Sequence, residues 1–128
     1  MNDLISSARQ ILGEFELTEN SKAGSVAAAL KTEAGIVYTG ISLDMACGVG
    51  FCAEHSAIAE MLKHRERLIS EIVAVNDQGI LPPCGRCREL MLQVSSANAN
   101  TMVAIAEGKS VPLRELLPHH WLSVERNS

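Results

Sequence analysis

Two short stretches of the chain hold the residue types of a metal-dependent active site. Cys52-Ala53-Glu54 offers a thiol and a carboxylate, and Pro82-Pro83-Cys84-Gly85-Arg86-Cys87 offers two more thiols. Zinc binds thiolates readily, and three protein ligands leave its fourth tetrahedral position open, which distinguishes a catalytic site from a four-ligand structural site. We therefore predict that Cys52, Cys84 and Cys87 bind one catalytic zinc ion.

Glu54 is the carboxylate of the first stretch and is not needed as a ligand. A zinc ion with an open position lowers the pKa of water from about 15.7 to about 7, and a nearby carboxylate can then carry protons during an attack. The pattern of a glutamate beside one ligand, followed by Pro-Cys-x-x-Cys, is the general signature of zinc-dependent deaminases. We predict that Glu54 is catalytic and that the reaction releases ammonia.

Each cysteine stretch is predicted to begin a helix, whose free amides and partial positive charge favour thiolates. Residues two apart on a regular helix face different directions, so Cys52 and Glu54 can share a site only if the helix begins at Cys52. Ala53 and Arg86 are predicted to lie directly behind the ligands. Arg86 and Arg88 are close enough in sequence to donate hydrogen bonds to the sulfurs.

Cys47 keeps a second interpretation open. It is separated from Cys52 by four residues and could act as a fourth ligand. The site would then be closed and structural, and the chain would be a zinc-stabilised binding domain without turnover. This alternative leaves Glu54 without a role.

Composition limits the class of protein and of partner. A chain of 128 residues with 47% hydrophobic residues predicts a single globular domain over residues 1–128. The net charge of −4 and the aromatic content of 3% argue against a nucleic-acid partner and favour a small-molecule substrate. Neither a signal peptide nor a membrane span is recognisable, so we expect a cytoplasmic protein with reduced cysteines.

The spacing of apolar residues predicts alternating helices and strands after an initial hairpin. This order is typical of a three-layer α/β/α sandwich with a mixed central sheet. Polar or irregular segments are expected at 20–24, 42–51, 76–79 and 95–100. The predicted elements are a helix at 4–15, a hairpin of strands at 26–30 and 36–39, a helix from 52, a strand at 72–75, a helix after 83, a strand at 102–106 and a short helix at 113–117.

At these motifs the chain resembles the cytidine deaminase family and, within it, the blasticidin S deaminases. The segment Gly79-Ile80-Leu81-Pro82-Pro83-Cys84-Gly85-Arg86-Cys87-Arg88 is very similar to the second motif of the blasticidin enzymes. Thr39-Gly40-Ile41-Ser42-Leu43 and Arg114-Glu115-Leu116-Leu117-Pro118 resemble two further family segments. The resemblance implies the cytidine deaminase fold, one zinc ion per subunit and a homotetramer whose sites are completed by neighbouring subunits. The implied reaction is hydrolytic deamination of a small aminopyrimidine nucleoside or base, such as cytidine, deoxycytidine, blasticidin S or a related compound.

The departures from the family fall on the substrate side. Ser42 and Asp44 stand where the family has a longer asparagine and glutamate that bind the ribose, so the resemblance assigns these two residues to substrate binding. The aromatic residue that often covers the pyrimidine has no counterpart around residues 23–25. His55 replaces an arginine. The type of reaction therefore carries over more firmly than the substrate.

Overall fold

The computed structural model describes residues 1–123. Within these residues, seven strands form one sheet, accompanied by four α-helices. No helix in this range is long and apolar enough to cross a membrane. The strands are β1 (Phe15–Thr18), β2 (Ser21–Thr32), β3 (Val37–Asp44), β4 (Ile69–Asn76), β5 (Gly79–Leu81), β6 (Met102–Ala106) and β7 (Lys109–Pro112), and the helices are α1 (Asn2–Ile11), α2 (Ala53–Lys63), α3 (Gly85–Val94) and α4 (Leu113–Leu116).

Strand β2 organises the sheet because it pairs with three other strands. It runs antiparallel to β1, β3 and β4. Strand β4 pairs antiparallel with the short β5 and in parallel with β6, and β6 forms a hairpin with β7. A parallel pair needs a crossover connection, which α3 supplies between β4 and β6. The sheet is therefore mixed.

Helices cover both faces of this sheet. One face buries the apolar side of α1, and the other buries α2 and α3. Because both faces are covered, consecutive residues of β2 from 27 to 30 are fully buried instead of alternating between core and solvent. The predicted three-layer α/β/α sandwich is confirmed. The first core contains Leu4, Ile5, Ala8, Ala27, Ala29, Val73, Val75 and Ala104, and the second contains Leu30, Ala57, Ile58, Met61, Ile72, Met91, Leu92, Val103 and Leu113.

The N-terminal region differs from its prediction. The helix ends at Ile11 instead of continuing to Phe15, which begins β1, and most of the segment expected as a loop at 20–24 belongs to β2. Leu12 is extended, and the next amide, of Gly13, donates a hydrogen bond to the carbonyl of Gly24. Apolar residues at 4, 5, 8, 11, 12 and 15 fit helical spacing, but this long-range bond turns the chain into the sheet.

Three other strand assignments also differ from the sequence prediction. Residues 42–44, expected to be irregular, form the end of β3, and the short strands β5 and β7 were not predicted. The predicted helices after residues 52 and 83, the strands at 72–75 and 102–106, and the short helix at 113 are all present. Strands of three or four residues carry too few positions to show a period of two.

Candidate metal and active site

Two helix N-termini bring the cysteines together. Cys52 is the N-cap of α2 and Cys84 is the N-cap of α3, each with extended backbone (ψ 156° and 168°), while Cys87 lies in the first turn of α3. Because Cys52 precedes the first helical residue, the direction of its side chain does not follow the helical repeat. The geometric requirement for Cys52 and Glu54 to share a site is therefore met.

The three sulfurs have the spacing of ligands to one metal ion. The Sγ atom of Cys84 lies 3.5 Å from that of Cys52 and 3.6 Å from that of Cys87, and all three lie within 4.8 Å of one another. A tetrahedral zinc ion with Zn–S bonds of about 2.3 Å separates its sulfurs by about 3.8 Å. A disulfide would hold two sulfurs at about 2.05 Å. The donor set and its spacing therefore fit zinc.

The helix N-terminus of α3 stabilises one thiolate in particular. Partial burial raises the pKa of the Cys84 thiol, but hydrogen bonds from the amides of Cys87 and Arg86 and from the neighbouring sulfurs outweigh burial, so this pKa falls below its ordinary value. Burial raises the pKa of the thiols of Cys52 and Cys87, with repulsion between the sulfurs adding to it. Three thiolates at this spacing need a cation at their centre, since metal binding is what deprotonates clustered thiols.

Glu54 lies beside these sulfurs in the first turn of α2. Its side chain is only 5% exposed, and burial raises the pKa of its carboxyl, partly opposed by hydrogen bonds from its own amide and with the Cys87 side chain. The carboxyl contributes to the wall of the large cleft described below. The structure thus places the predicted proton carrier beside the predicted ligand Cys87 and in the wall of the cleft where a substrate would lie.

Gly40 allows α2 to approach β3 closely enough to form the site. A Cβ atom at this position would lie 2.7 Å from the carbonyl oxygen of Ala53 and 2.5 Å from the amide nitrogen of Ala57. Real Cβ atoms do not approach backbone this closely, so only glycine fits without moving the helix. Ala53 itself is fully buried and packs with Ala28 of β2 and Ala74 of β4.

The two arginines behave differently from one another. Arg88 donates hydrogen bonds to the carbonyls of Pro83 (2.9 Å) and Leu116 (3.0 Å). Its guanidinium therefore links the loop before α3 to the end of α4. Its expected contact with the sulfurs is wrong. Arg86 is exposed and borders the cleft, and it contacts Cys84 through its backbone amide.

His55 contacts one of the three predicted ligands, Cys87. Its Nδ1 atom lies 3.5 Å from the Sγ atom of Cys87, and its ring stacks on Phe51 with 6.4 Å between the ring centroids. Burial lowers the pKa of this imidazole, and the nearby Arg86 lowers it further. A neutral imidazole can donate one hydrogen bond to a thiolate through its protonated nitrogen.

A cleft of about 830 Å³ is lined by Glu54 and by two of the predicted ligands, Cys52 and Cys84. In the wall of this cleft, the Ser25 hydroxyl donates a 3.0 Å hydrogen bond to Oδ2 of Asp44 and lies 3.3 Å from the Ser42 hydroxyl. Ser42 and Asp44 both line the cleft, and their role in substrate binding stays a prediction. Ser25 and Phe51 also line it and were missed by sequence reasoning, although Phe51 directly precedes the first ligand.

Cys47 lies away from this group of sulfurs. Within residues 1–123, the one cluster with metal-ligand geometry consists of Cys52, Cys84 and Cys87. Cys47 is exposed and sits in a short 3-10 turn with left-handed backbone (φ 59°). The four-cysteine alternative therefore has no support from the geometry of the described residues.

Comparison with known proteins agrees with this site. Residues 3–104 match the family defined as the cytidine and deoxycytidylate deaminase zinc-binding region, and the chain belongs to this family. It is 29% identical over 106 residues to a cytidine deaminase of Halalkalibacterium halodurans, covering 80% of each chain.

Solved structures show the same fold. The cytidine deaminase of Mycobacterium tuberculosis superposes with a TM-score of 0.77 at 25% identity, covering 94% of this chain and 95% of that one. The enzyme of Burkholderia pseudomallei gives 0.75 at 25% identity, covering 94% and 98%. With the family and the three clustered thiols, these findings define a zinc-dependent hydrolytic deaminase with one zinc ion for each chain.

Proposed function

We propose that this deaminase acts on a small free aminopyrimidine nucleoside or base, such as cytidine, deoxycytidine, blasticidin S or a related compound. The observation that carries the proposal is the position of Glu54. This buried carboxylate lies beside the three sulfurs and faces a cleft of about 830 Å³. Such a volume is within the usual range for small-molecule sites, about 300–1,000 Å³.

The chemistry then follows from the positions of the groups. Cys52, Cys84 and Cys87 would hold the zinc ion, which would supply hydroxide near neutral pH because bound zinc lowers the pKa of water to about 7. Glu54 takes up the first proton of the attacking water and donates it to a ring nitrogen, and it then carries the second proton, from the added hydroxyl, to the departing amine. One C–O bond forms and one C–N bond breaks, so the products are the corresponding keto-pyrimidine and ammonia.

The surroundings of Glu54 suit this role. Ala53 and the close packing at Gly40 fix the first turn of α2, so the carboxylate has a defined position relative to the sulfurs. The amides of α3 stabilise the Cys84 thiolate and lessen the excess negative charge of three sulfurs around one zinc ion. Proton transfer depends on such preorganised distances.

Ser42 and Asp44 line the same cleft as Cys52 and Cys84, and we assign them to the part of the substrate that does not react. They are shorter than the asparagine and glutamate at the corresponding family positions. The shorter side chains leave more room between β3 and the substrate, which is consistent with an aminopyrimidine carrying a larger or modified sugar.

A homotetramer is the oligomeric state implied by the family resemblance. The single chain leaves several large apolar side chains exposed, among them Val49 (70%) and Trp121 (54%), and these would be covered by neighbouring subunits. Sedimentation velocity of the zinc-loaded protein tests this assignment, and a monomer at micromolar concentration would contradict it. The cytoplasmic location stays a prediction from the sequence.

The decisive experiment is ammonia release from a panel of substrates by the zinc-loaded protein and by Glu54→Gln. The panel contains cytidine, deoxycytidine, cytosine, blasticidin S and adenosine. We expect release from at least one aminopyrimidine and a loss of at least about 10²-fold in Glu54→Gln, since removing a general acid–base group costs about 10²–10⁴-fold. The zinc content of the variant should stay unchanged.

Glu60→Gln is the matched control, because Glu60 is on the same helix but forms an ion pair with Lys63 at the surface. It should retain full activity. Release of ammonia by Glu54→Gln at the wild-type rate would remove Glu54 from the mechanism. Release from adenosine alone would overturn the proposed substrate class.

A further inference from the structure

Three hydrogen bonds link residues of the cleft wall into one chain. The amide of Val26 donates to the Ser42 hydroxyl (3.0 Å), the hydroxyls of Ser42 and Ser25 lie 3.3 Å apart, and the Ser25 hydroxyl donates to Oδ2 of Asp44 (3.0 Å). Ser25 is on β2, and Ser42 and Asp44 are on β3, so the chain of bonds crosses between paired strands. Ser42 is 6% exposed and lies at the inner end of the chain, whereas Asp44 is exposed.

The direction of every proton in this chain is determined by its two ends. An ionised carboxylate can only accept, so Ser25 must give its one proton to Asp44. The bond between the hydroxyls must then be donated by Ser42, whose own oxygen accepts from the Val26 amide. No hydroxyl proton is left over, and the remaining capacity of the group consists of lone pairs on Asp44 and Ser25.

We propose that Ser25 is a positioning residue that holds Asp44 in place, and that the pair forms a subsite that only accepts hydrogen bonds. This inference rests on the proposed function, since it describes the same cleft. The resemblance already assigns this part of the cleft to the sugar, and the hydrogen-bond chain adds that the sugar must be the donor, through free hydroxyl groups. A sugar without such groups, or with phosphate in their place, gains nothing from Asp44 or is repelled by it.

Ser42 acts on the substrate only through Ser25 in this arrangement. Its burial and its two bonds leave it no free proton and little exposed surface. An asparagine at this position could both donate and accept, whereas the serine cannot do both toward a ligand. The choice of ligand is therefore restricted by the direction of the hydrogen bonds as well as by the length of the side chains.

The test uses binding of the reaction product, so it does not depend on turnover. Titration calorimetry compares uridine with 2′,3′-dideoxyuridine, which lacks both secondary hydroxyls, on the zinc-loaded wild type, Ser25→Ala, Ser25→Thr and Ser70→Ala. We expect wild type to bind uridine at least about tenfold more tightly than the dideoxy compound, because hydrogen bonds to charged groups are the stronger ones. Ser25→Ala should reduce this ratio to about threefold or less, and Ser25→Thr should restore it because it keeps the hydroxyl.

Ser70→Ala is the control for loss of a strand hydroxyl elsewhere, since Ser70 on β4 donates to the carbonyl of Lys31. It should show the wild-type ratio. In parallel, Ser25→Ala should raise the KM for cytidine several-fold with kcat and zinc content unchanged, which a general loss of structure would not produce.

Equal Kd values for uridine and its dideoxy analogue on wild type would overturn the subsite, and this comparison requires no variant to fold. An undiminished ratio in Ser25→Ala would overturn the role of Ser25. Failure of the proposed function is recognised separately, as absence of ammonia release from every aminopyrimidine by a zinc-loaded protein.

Discussion

The cleft wall contains two groups of functional residues, named the metal end and the substrate end, which are built in different ways. At the metal end, three sulfurs come from two helix N-termini, and two of them belong to N-cap residues whose positions are defined by the start of each helix. At the substrate end, Ser25, Ser42 and Asp44 come from the middle and the end of two paired strands. The metal end needs only one short motif at the start of each helix. The geometry of the substrate end depends on how the two strands pair.

This difference indicates which end can change without loss of the reaction. A helix N-terminus supplies amides and partial positive charge that favour a thiolate. Only cysteine supplies a thiolate, so the metal end tolerates little change in residue type. The substrate end depends on side-chain length and on the direction of hydrogen bonds. Its residues depart from the family pattern, while the ligands and Glu54 match the deaminase signature.

Removing a ligand should have the largest effect and should affect the metal end alone. Cys87→Ser replaces a buried thiolate with a hydroxyl, which is a poor zinc ligand, so we expect zinc content measured by mass spectrometry to fall to a small fraction of wild type. Ammonia release should fall with it. Cys47→Ser is the matched control and should keep both, because Cys47 lies outside the cluster. Loss of zinc in Cys47→Ser would restore the four-cysteine alternative.

Substitution of Gly40, where α2 packs closely against β3, should have the second-largest effect. Gly40→Ala places a Cβ atom against the backbone of α2 at Ala53 and Ala57, so the helix must move away from β3. Overpacking of this kind costs about 1–3 kcal/mol. We expect a corresponding fall in the free energy of unfolding in urea.

Gly13→Ala serves as the control for Gly40→Ala, since nothing lies within 4 Å of its added Cβ. It should unfold within about 0.5 kcal/mol of wild type, as for most unobstructed surface changes. Equal stability of the two variants would show that α2 does not need the close approach. Reduced zinc affinity in Gly40→Ala would show that the zinc ligands also depend on the close packing of α2 against β3.

The smallest expected effect concerns a carboxylate outside both ends. Glu66 accepts hydrogen bonds from Tyr38 on β3 and Thr32 on β2, and these bonds, with the nearby charge of His64, lower the pKa of its carboxyl from the ordinary 4.5. The same contact, with burial and the charges of Glu66 and Glu60, raises the pKa of Tyr38 to about 12.

The sign of the stability effect follows from these directions. Because the folded-state pKa of Glu66 is lowered, its stabilisation is complete above pH about 4.5 and is lost as the pH falls through the lowered value. The stabilisation linked to neutral Tyr38 is present below pH about 10 and is lost as the pH rises towards about 12. Urea unfolding midpoints between pH 3 and 6 should therefore fall less steeply with acid in Glu66→Gln than in wild type. Identical slopes would show that the bonds to Glu66 do not bias its ionisation.

Much of the core could be predicted from apolar spacing. The helices after Cys52 and Cys84, the two long strands β2 and β4 and the three-layer arrangement follow from apolar runs of sufficient length and from their order. The first helix was extended too far, to Phe15, because six apolar residues fit helical spacing while the chain actually turns at Gly13. That turn depends on a hydrogen bond to Gly24, which no local pattern reveals.

The metal end of the site was predictable for a chemical reason. Thiolate ligands and a proton-carrying carboxylate can be recognised by residue type and short spacing, and the sulfur positions agree with that prediction. The substrate end was predictable only in part. Ser42 and Asp44 were indicated by resemblance, whereas Ser25 came to the site through the pairing of β2 with β3, and Arg88 turned away from the sulfurs to brace two backbone segments.

The sequence by itself determined the chemistry of this protein, because three thiols and a carboxylate in two short motifs leave few alternatives to a zinc deaminase. Tertiary structure alone decided how the substrate end is formed. A register shift in the pairing of β2 with β3, between Ala23 and Ala27, accompanies the contact of Ser25 with Asp44, and the chain of hydrogen bonds determines which groups can donate. Ligand chemistry is a property of residue types, while the direction of a hydrogen-bond chain exists only once its members are held within about 3 Å of one another.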